Sequence, residues 1–303
     1  MSTNEGGDMK KLAFIMVTLL LLGLYATVYS KGTVLKVNTG GAVLGGEAIE
    51  AVTKAFEKDT GIKVEATKGP TGQCGFTVKN LMSEKIDIGV MCCPINKLEA
   101  GRKGLVQTPV GVGAWAFVVN KSNPIESLST QQMRDIYQGR ITNWSEVGGK
   151  NAPIQPYAYI MCSPRDEALR QFLVGEKQYK KGIVGIDNSR FASNVKKAKP
   201  GDPDNCALAD TDPNVIVGLT YQSVAGRKPA CSAMRKGAVK IIAVDNIMPK
   251  PETIANESYP VSHYLFMITK GVPDRAEAQY LNFIRSDKGQ KLLTSNGLVA
   301  PLP

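Results

Sequence analysis

Apolar residues recur along the chain with two periods, one suited to helices and one to strands. Val34 to Val37 reads as a short strand. A glycine-rich stretch from Asn38 to Gly46 follows. Ile49, Val52 and Phe56 then share one face of a predicted helix over about 47–59, which Gly61 closes. Ile62 to Ala66 predicts a second strand. Gly69 to Gly75 is a second glycine-bearing loop, and a helix over 76–84 comes after it. Ile86 to Met91 is a third strand, and Pro94 stops it because proline has no N–H for a ladder. This β-loop-α-β-loop-α-β order predicts a parallel sheet with right-handed crossovers.

Farther along, Val110 to Asn120 predicts a long apolar strand. Ser129 opens a helix with Met133 and Ile136 facing inward, and 141–149 reads as a helical turn capped by glycines. Ile154 to Tyr159 is a strand. A helix over 164–174 has a strong start: Ser163 as N-cap, Pro164 at the first helical position and Asp166 three residues after the cap. Tyr259 to Thr269 is a strand. The amphipathic segments 274–286 and 289–295 read as packing helices, and Trp115 and Trp144 as core anchors.

The N-terminus has a different pattern. Lys10 and Lys11 precede an apolar run from Leu12 to about Ala26, and small residues lie near Ser30. That is the layout of a signal peptide over 1–30, with a retained membrane anchor over 12–30 as the alternative. Either one puts the remainder outside the cytoplasm, in the periplasm or beyond. The chain has 303 residues, 43% hydrophobic and 21% charged, enough for two α/β domains. Its net charge of +10 survives loss of 1–30, since Lys10 and Lys11 leave together with Glu5 and Asp8. A basic surface suits anions. The basic residues are scattered and not interleaved with aromatics, so no nucleic-acid partner is expected, and membrane contact only through the N-terminal segment.

Both glycine-rich loops run from a strand into a helix N-terminus, where free N–H groups and the helix dipole favour an anion. Neither carries a Walker or dinucleotide motif. The helix opened by Ser163 supplies a third positive end, with Cys162 just outside it. His263 is the single histidine, with no Ser-His-Asp set around it, and no paired carboxylates stand out. An enzyme is therefore not expected.

Four separated stretches carry a resemblance. Gln138 to Gly149 followed by Pro153 to Tyr157, Asp87-Ile-Gly, Phe117 to Asn120 before Asn123-Pro124, and Tyr259 to Lys270 together resemble the periplasmic phosphate-binding proteins of ABC importers. The resemblance implies an α/β, two-lobed periplasmic-binding-protein fold of type II. Each lobe would be a mixed, mostly parallel sheet flanked by helices, with a ligand cleft between lobes. It implies lobe one over 33–118 plus 259–303 and lobe two over 119–258, with an ABC permease or a sensor kinase as partner. The family's oxyanion loops fall on Thr39, Gly40, Gly41 and Ala42; on Thr71, Gly72, Gln73 and Cys74; on Cys92 and Cys93; and on Cys162, Ser163 and Arg165. The chain departs from the family there: cysteines replace serine and arginine donors, Pro164 replaces a threonine, and only Arg165 persists as a charged partner.

A thiol is a weak donor, so these replacements weaken phosphate recognition. In a positive helix-end setting a cysteine becomes a thiolate, which binds soft metals or metalloids. Three readings of Cys74, Cys92, Cys93 and Cys162 stay open: a thiolate-bound metal or metalloid ligand, a disulfide or thiol redox role, and spectators around an ordinary oxyanion. The second includes a redox or metal-cluster-carrying protein on the same scaffold. Cys206 and Cys231, 25 residues apart, read as a structural disulfide, since exported cysteines usually pair. His263 reads as a hydrogen-bonded structural residue near the hinge, and Tyr157 and Tyr159 as candidates to line the cleft.

Overall fold

β1 (Leu35–Asn38), β2 (Val64–Thr67) and β3 (Ile88–Met91) lie side by side in the order β2-β1-β3, all parallel. A computed structural model of the chain describes residues 34–38, 46–67, 74–91, 95, 97–158, 168–178, 184–186, 190–198, 202–225 and 231–299. Parallel neighbours need long crossovers, and helices provide them. They are α1 (Gly46–Thr60) and α2 (Cys74–Met82). Ile49, Val52 and Phe56 of α1 are fully buried, as their spacing predicts. α1 ends at Gly61, whose φ of 71° lets its N–H reach the Glu57 carbonyl at 2.9 Å.

After α3 (Lys97–Lys103) the chain enters its longest strand, β4 (Leu105–Asn120). β5 (Ser127–Leu128), α4 (Thr130–Tyr137), a 3₁₀ turn over Trp144–Val147 and β6 (Gln155–Ala158) follow. Next come α5 (Ala168–Val174), the antiparallel pair β7 (Glu176–Gln178) and β8 (Val184–Ile186), and β9 (Lys196–Lys197). α6 (Asp202–Thr211), β10 (Val215–Thr220), α7 (Tyr221–Ala225), α8 (Ser232–Arg235) and β11 (Val239–Val244) lead to α9 (Pro251–Ala255). β12 (Ser262–Lys270), α10 (Arg275–Arg285) and α11 (Asp287–Ser295) complete the described chain.

The main sheet runs β2-β1-β3-β12-β4-β10-β6-β9, with β11 also on β4 and β5 on β11. Its flanks are parallel, but its centre is antiparallel: β12 runs against β3 and β4, and β10 and β11 run against β4. The helix caps match the sequence signals. Ser129 and Gln132 form a reciprocal capping box on α4, as Asp274 and Glu277 do on α10. The 3₁₀ turn ends at Gly148 with φ 89°. Some bounds differ from expectation. β2 begins at Val64 instead of Ile62, α2 stops at Met82, and β4 begins at Leu105 instead of Val110. Pro109 sits inside β4, opposite Phe266, where the register with β12 shifts; a proline at a bulge keeps a strand going past the point where its sequence reads as a loop.

The core has three parts. The first packs β1, β3 and the start of β4 against α1, α10 and α11, using residues 35–110 and 265–298. The second and third use residues 112–261 with Val299 and lie on opposite faces of β4. From Trp115 onward the strand alternates: Trp115, Phe117 and Val119 enter the second part, Ala116 and Val118 the third. The change from first part to second falls between Val110 and Val112 in β4, and between Val261, just before β12, and Leu265 within it.

Candidate ligand-binding site

The parallel strands set where the site can be. Val37 pairs with Ile88 and Asn38 with Gly89, and on the other side Asn38 pairs with Thr67. β2 and β1 therefore end level, and β3 runs on to Met91 in the same direction, so the carboxyl ends of all three lie at the same end of the sheet. In an open α/β sheet, ligands bind outside the carboxyl ends of the strands. The predicted loops 39–42, 71–74 and 92–93 follow those three strands in sequence. The fourth predicted segment, 162–165, falls between β6 and α5.

Thr39, Gly40, Gly41, Ala42, Thr71, Gly72, Gln73, Cys92, Cys93, Cys162, Ser163 and Arg165 lie outside the described residues. Cys74 is the first residue of α2, and its backbone alone is described. Tyr159 also lies outside. Tyr157 is half-buried in β6 with the Lys196 ammonium 5.7 Å from its ring centre, and it packs against both the second and third core parts. Among the described residues no group of three or more His, Cys, Asp or Glu is arranged to hold a metal ion, and no helix is long and apolar enough to cross a membrane.

The described residues show what holds the strand ends in place. Asp87, just before β3, clasps β1 twice: its carboxylate accepts from the Lys36 N–H at 2.7 Å, and its own N–H donates to the Lys36 carbonyl at 2.8 Å. Gly89 gives α2 room. A Cβ there would come within 2.2 Å of Thr77 Cγ2, so the helix sits directly on the strand. The Asp-Ile-Gly stretch is thus a packing device that fixes the level of the β1 and β3 ends. Asn38, the last residue of β1, is fully buried there. Sequence reasoning missed these three roles, since Lys36 and Thr77 are distant in the chain. The available signal was an acidic residue heading an apolar strand.

On the β6 side, α4 does the holding. The buried Tyr137 phenol donates to the Tyr157 carbonyl at 3.0 Å; burial pushes its pKa far up, so it stays a neutral donor. Arg134 Nε donates to the Phe172 carbonyl at 2.9 Å and Gln138 Nε2 to the Leu173 carbonyl at 3.0 Å. Those carbonyls belong to the last turn of α5, whose helical partners are missing, and a cation there also suits the helix dipole.

His263 departs from its expected role. It is buried in β12 opposite Gly113, with the Trp115 ring 6.3 Å away, but no partner of good geometry reaches either ring nitrogen. Burial holds its pKa down to about 4, against a weak opposing pull from the Val261 carbonyl. Cys206 and Cys231 form the expected disulfide, joining α6 to the N-cap of α8. Both are fully buried, and Cys231 Sγ also accepts from the Met234 N–H at 3.1 Å.

Residues 27–288 match the PBP superfamily domain. The chain belongs to the PBP superfamily. It is similar to the phosphate-binding protein PstS of Bacillus subtilis (strain 168), 25% identical over 201 residues, which are 65% of this chain and 58% of that protein. SphX of Synechococcus elongatus (strain ATCC 33912 / PCC 7942 / FACHB-805) is 26% identical over 274 residues, 84% of this chain and 74% of that one. The fold matches the crystal structure of an ABC-type phosphate transport receptor from Vibrio cholerae with a TM-score of 0.69. At 19% identity, that match covers 89% of this chain and all of the other. The two-lobed α/β architecture of this superfamily member thus agrees with its strand order, and its similarity to phosphate-binding proteins agrees with the four motif stretches.

Proposed function

We propose that this chain is an exported solute-binding protein that captures a small tetrahedral oxyanion, phosphate foremost, between two lobes and delivers it to an ABC permease. It acts by binding and release, without chemistry on the ligand. The observation that carries this reading is that the carboxyl ends of the parallel strands β2, β1 and β3 lie at the same end of the sheet. Each of these strands is followed in sequence by one of the loops on which the family's oxyanion donors fall. The phosphate-binding relatives add weight. Lobe one is 33–118 plus 259–303 and lobe two 119–258 in this reading; the change of core lies near these bounds without coinciding with them, between Val110 and Val112 and between Val261 and Leu265. Residues 1–30 direct export.

Thr39, Gly40, Gly41 and Ala42, Thr71, Gly72, Gln73 and Cys74, Cys92 and Cys93, and Cys162, Ser163 and Arg165 contribute the donors in this reading. Arg165 is the one charged fork. Its loss removes a charge-assisted bond, worth about tenfold to a hundredfold in affinity. The thiol reading rests on the four cysteines in the sequence, and no observation among the described residues favours it over the oxyanion.

Calorimetric titration of the exported protein decides between them. Phosphate is expected to bind, with Arg165→Ala weakening it by that factor. Sulfate, arsenite and zinc serve as competing arms beside a count of free thiols and bound metal. Tight zinc or arsenite binding with no response to phosphate would overturn the oxyanion reading.

A further inference from the structure

The two parts of the core on either side of residue 111 are joined by more than β4 and β12. After α11 the chain crosses a third time: Leu298 packs in the first part and Val299 in the second. Val299 forms a one-residue antiparallel bridge with Val112 of β4. The Val112 N–H donates to the Val299 carbonyl at 2.8 Å, and the Val299 N–H donates back at 2.9 Å. Both polar groups of Val112 are used by Val299, while its neighbour across the other edge is Tyr264 of β12. A strand residue points its N–H and C=O to one edge. The last segment therefore lies on the side of β4 opposite β12.

The crossing point is built to bend. Pro109-Val-Gly-Val-Gly spans it in β4, and the ladder with β12 slips there, Leu265 pairing with Gly111 and Phe266 with Pro109. A bulge flanked by a proline and a glycine is a weak, twisted stretch of sheet. Two contacts from the C-terminal segment grip it, and a third sets the segment against α7. Gln290 of α11 donates to the Val110 carbonyl at 2.9 Å, Val299 pairs with Val112, and Gly297 presses on α7. Gly297 has φ +87°, and a Cβ on it would come within 2.8 Å of Gln222 Cγ. So this segment starts on α11, touches α7 in passing and ends on β4.

We propose that Gly297–Val299 is a strap, a third crossing strand that limits how far the two cores swing about β4 and β12. Two hydrogen-bonded strands make a marginal, easily twisted ribbon, and a third strand stiffens it. By narrowing the range of ligand-free conformations, the strap reduces the ordering that binding must impose. Its effect on affinity rests on the oxyanion reading above, while its effect on motion does not.

The test separates the two. Val299→Pro removes the donor to Val112 and leaves the rest of the chain intact, and Val299→Ala keeps both bonds. Spin labels introduced through noncanonical residues at the exposed Lys54 and Lys236 report the distance between the cores without ligand. Val299→Pro is expected to broaden that distribution, and Val299→Ala to leave it at the unmodified width. Phosphate affinity in the proline variant is expected to fall about fivefold, the effect of one net backbone hydrogen bond. An unchanged width in the proline variant, or equal broadening in both, would overturn the strap. If phosphate fails to bind the unmodified protein, the binding proposal fails and the width comparison still decides. Amide exchange in the unmodified protein covers a proline variant that does not fold. The Val299 amide is expected to exchange as slowly as those of the β4–β12 ladder. Rapid exchange there, with the ladder protected, overturns the strap.

Discussion

The first and third parts of the core are held together by different means. The first is rich in large side chains. Phe56 stands edge-on to Tyr280 at 5.0 Å and to Phe283 at 5.5 Å, and the Tyr280 hydroxyl is satisfied by Thr53 at 2.7 Å. The third is made of small ones: Ala116, Val118, Ala209, Val215, Val217 and their like, with Leu219 the largest aliphatic side chain fully buried there. Burial stabilises in proportion to apolar area, so a core of alanine and valine is weak per residue. That is where the disulfide sits. Among the described residues the large-residue core has no crosslink, and the small-residue core has one.

Breaking each core where it is strongest should give the largest effects. Phe56→Ala removes a fully buried ring and leaves a cavity, and is expected to cost about 4 kcal/mol in urea unfolding. A loss under about 1 kcal/mol would mean that this core does not depend on its aromatic cluster. Cys206→Ala with Cys231→Ala opens a loop of 25 residues, which should cost about 3 kcal/mol. If the crosslink compensates for a small core, the same pair of changes should lower the exchange protection of β10 amides far more than that of β1 amides. Equal losses in both would remove the contrast.

A smaller effect tests the junction between strand ends and helix. Gly89→Ala places a methyl 2.2 Å from Thr77 Cγ2, an overpacked contact expected to cost about 2.5 kcal/mol. Thr77→Ala in the same chain should recover much of it, because that methyl is the obstacle. No recovery would mean that Gly89 serves some purpose other than room for α2.

The sequence and the structure agree most where a pattern is local. The strand, glycine and helix of residues 35–61 are readable from spacing alone, because the face carrying Ile49, Val52 and Phe56 and the cap at Gly61 lie within one helix length. The capping boxes at Ser129 and Asp274 are readable for the same reason. β10 is a missed element with a plain signal: Val-Ile-Val-Gly-Leu-Thr is a continuous apolar run, as a strand buried on both faces should be. The first third of β4 had none, since Val106 to Pro109 gains its order from β12, about 160 residues later in the chain. The candidate site shows the same limit. Its loops are recognisable through family motifs, and the Cys206–Cys231 pair through export and spacing. The clasp of Asp87 on Lys36 and the seat of Thr77 on Gly89 depend on residues brought together only by folding.

The seam between the cores holds the finest test. His263 is buried there with neither nitrogen well paired, and its pKa is held down to about 4 by burial. No carboxylate or ammonium group among the described residues contributes to that shift. The unfolded chain would protonate this imidazole near pH 6.5. Between those values the unfolded state binds a proton that the folded state refuses, so stability falls with falling pH across the window and is full above it. From pH 7 to pH 5 that loss is about 2 kcal/mol. His263→Phe keeps an aromatic ring beside Trp115 and has nothing to protonate. Its stability at pH 7 should match or exceed that of the unmodified protein, since no nitrogen is left unsatisfied, and its decline toward pH 5 should be smaller by that amount. Urea unfolding at both pH values gives the comparison. Parallel declines would mean that His263 gains a partner in solution, and that the seam is wetter than either core it joins.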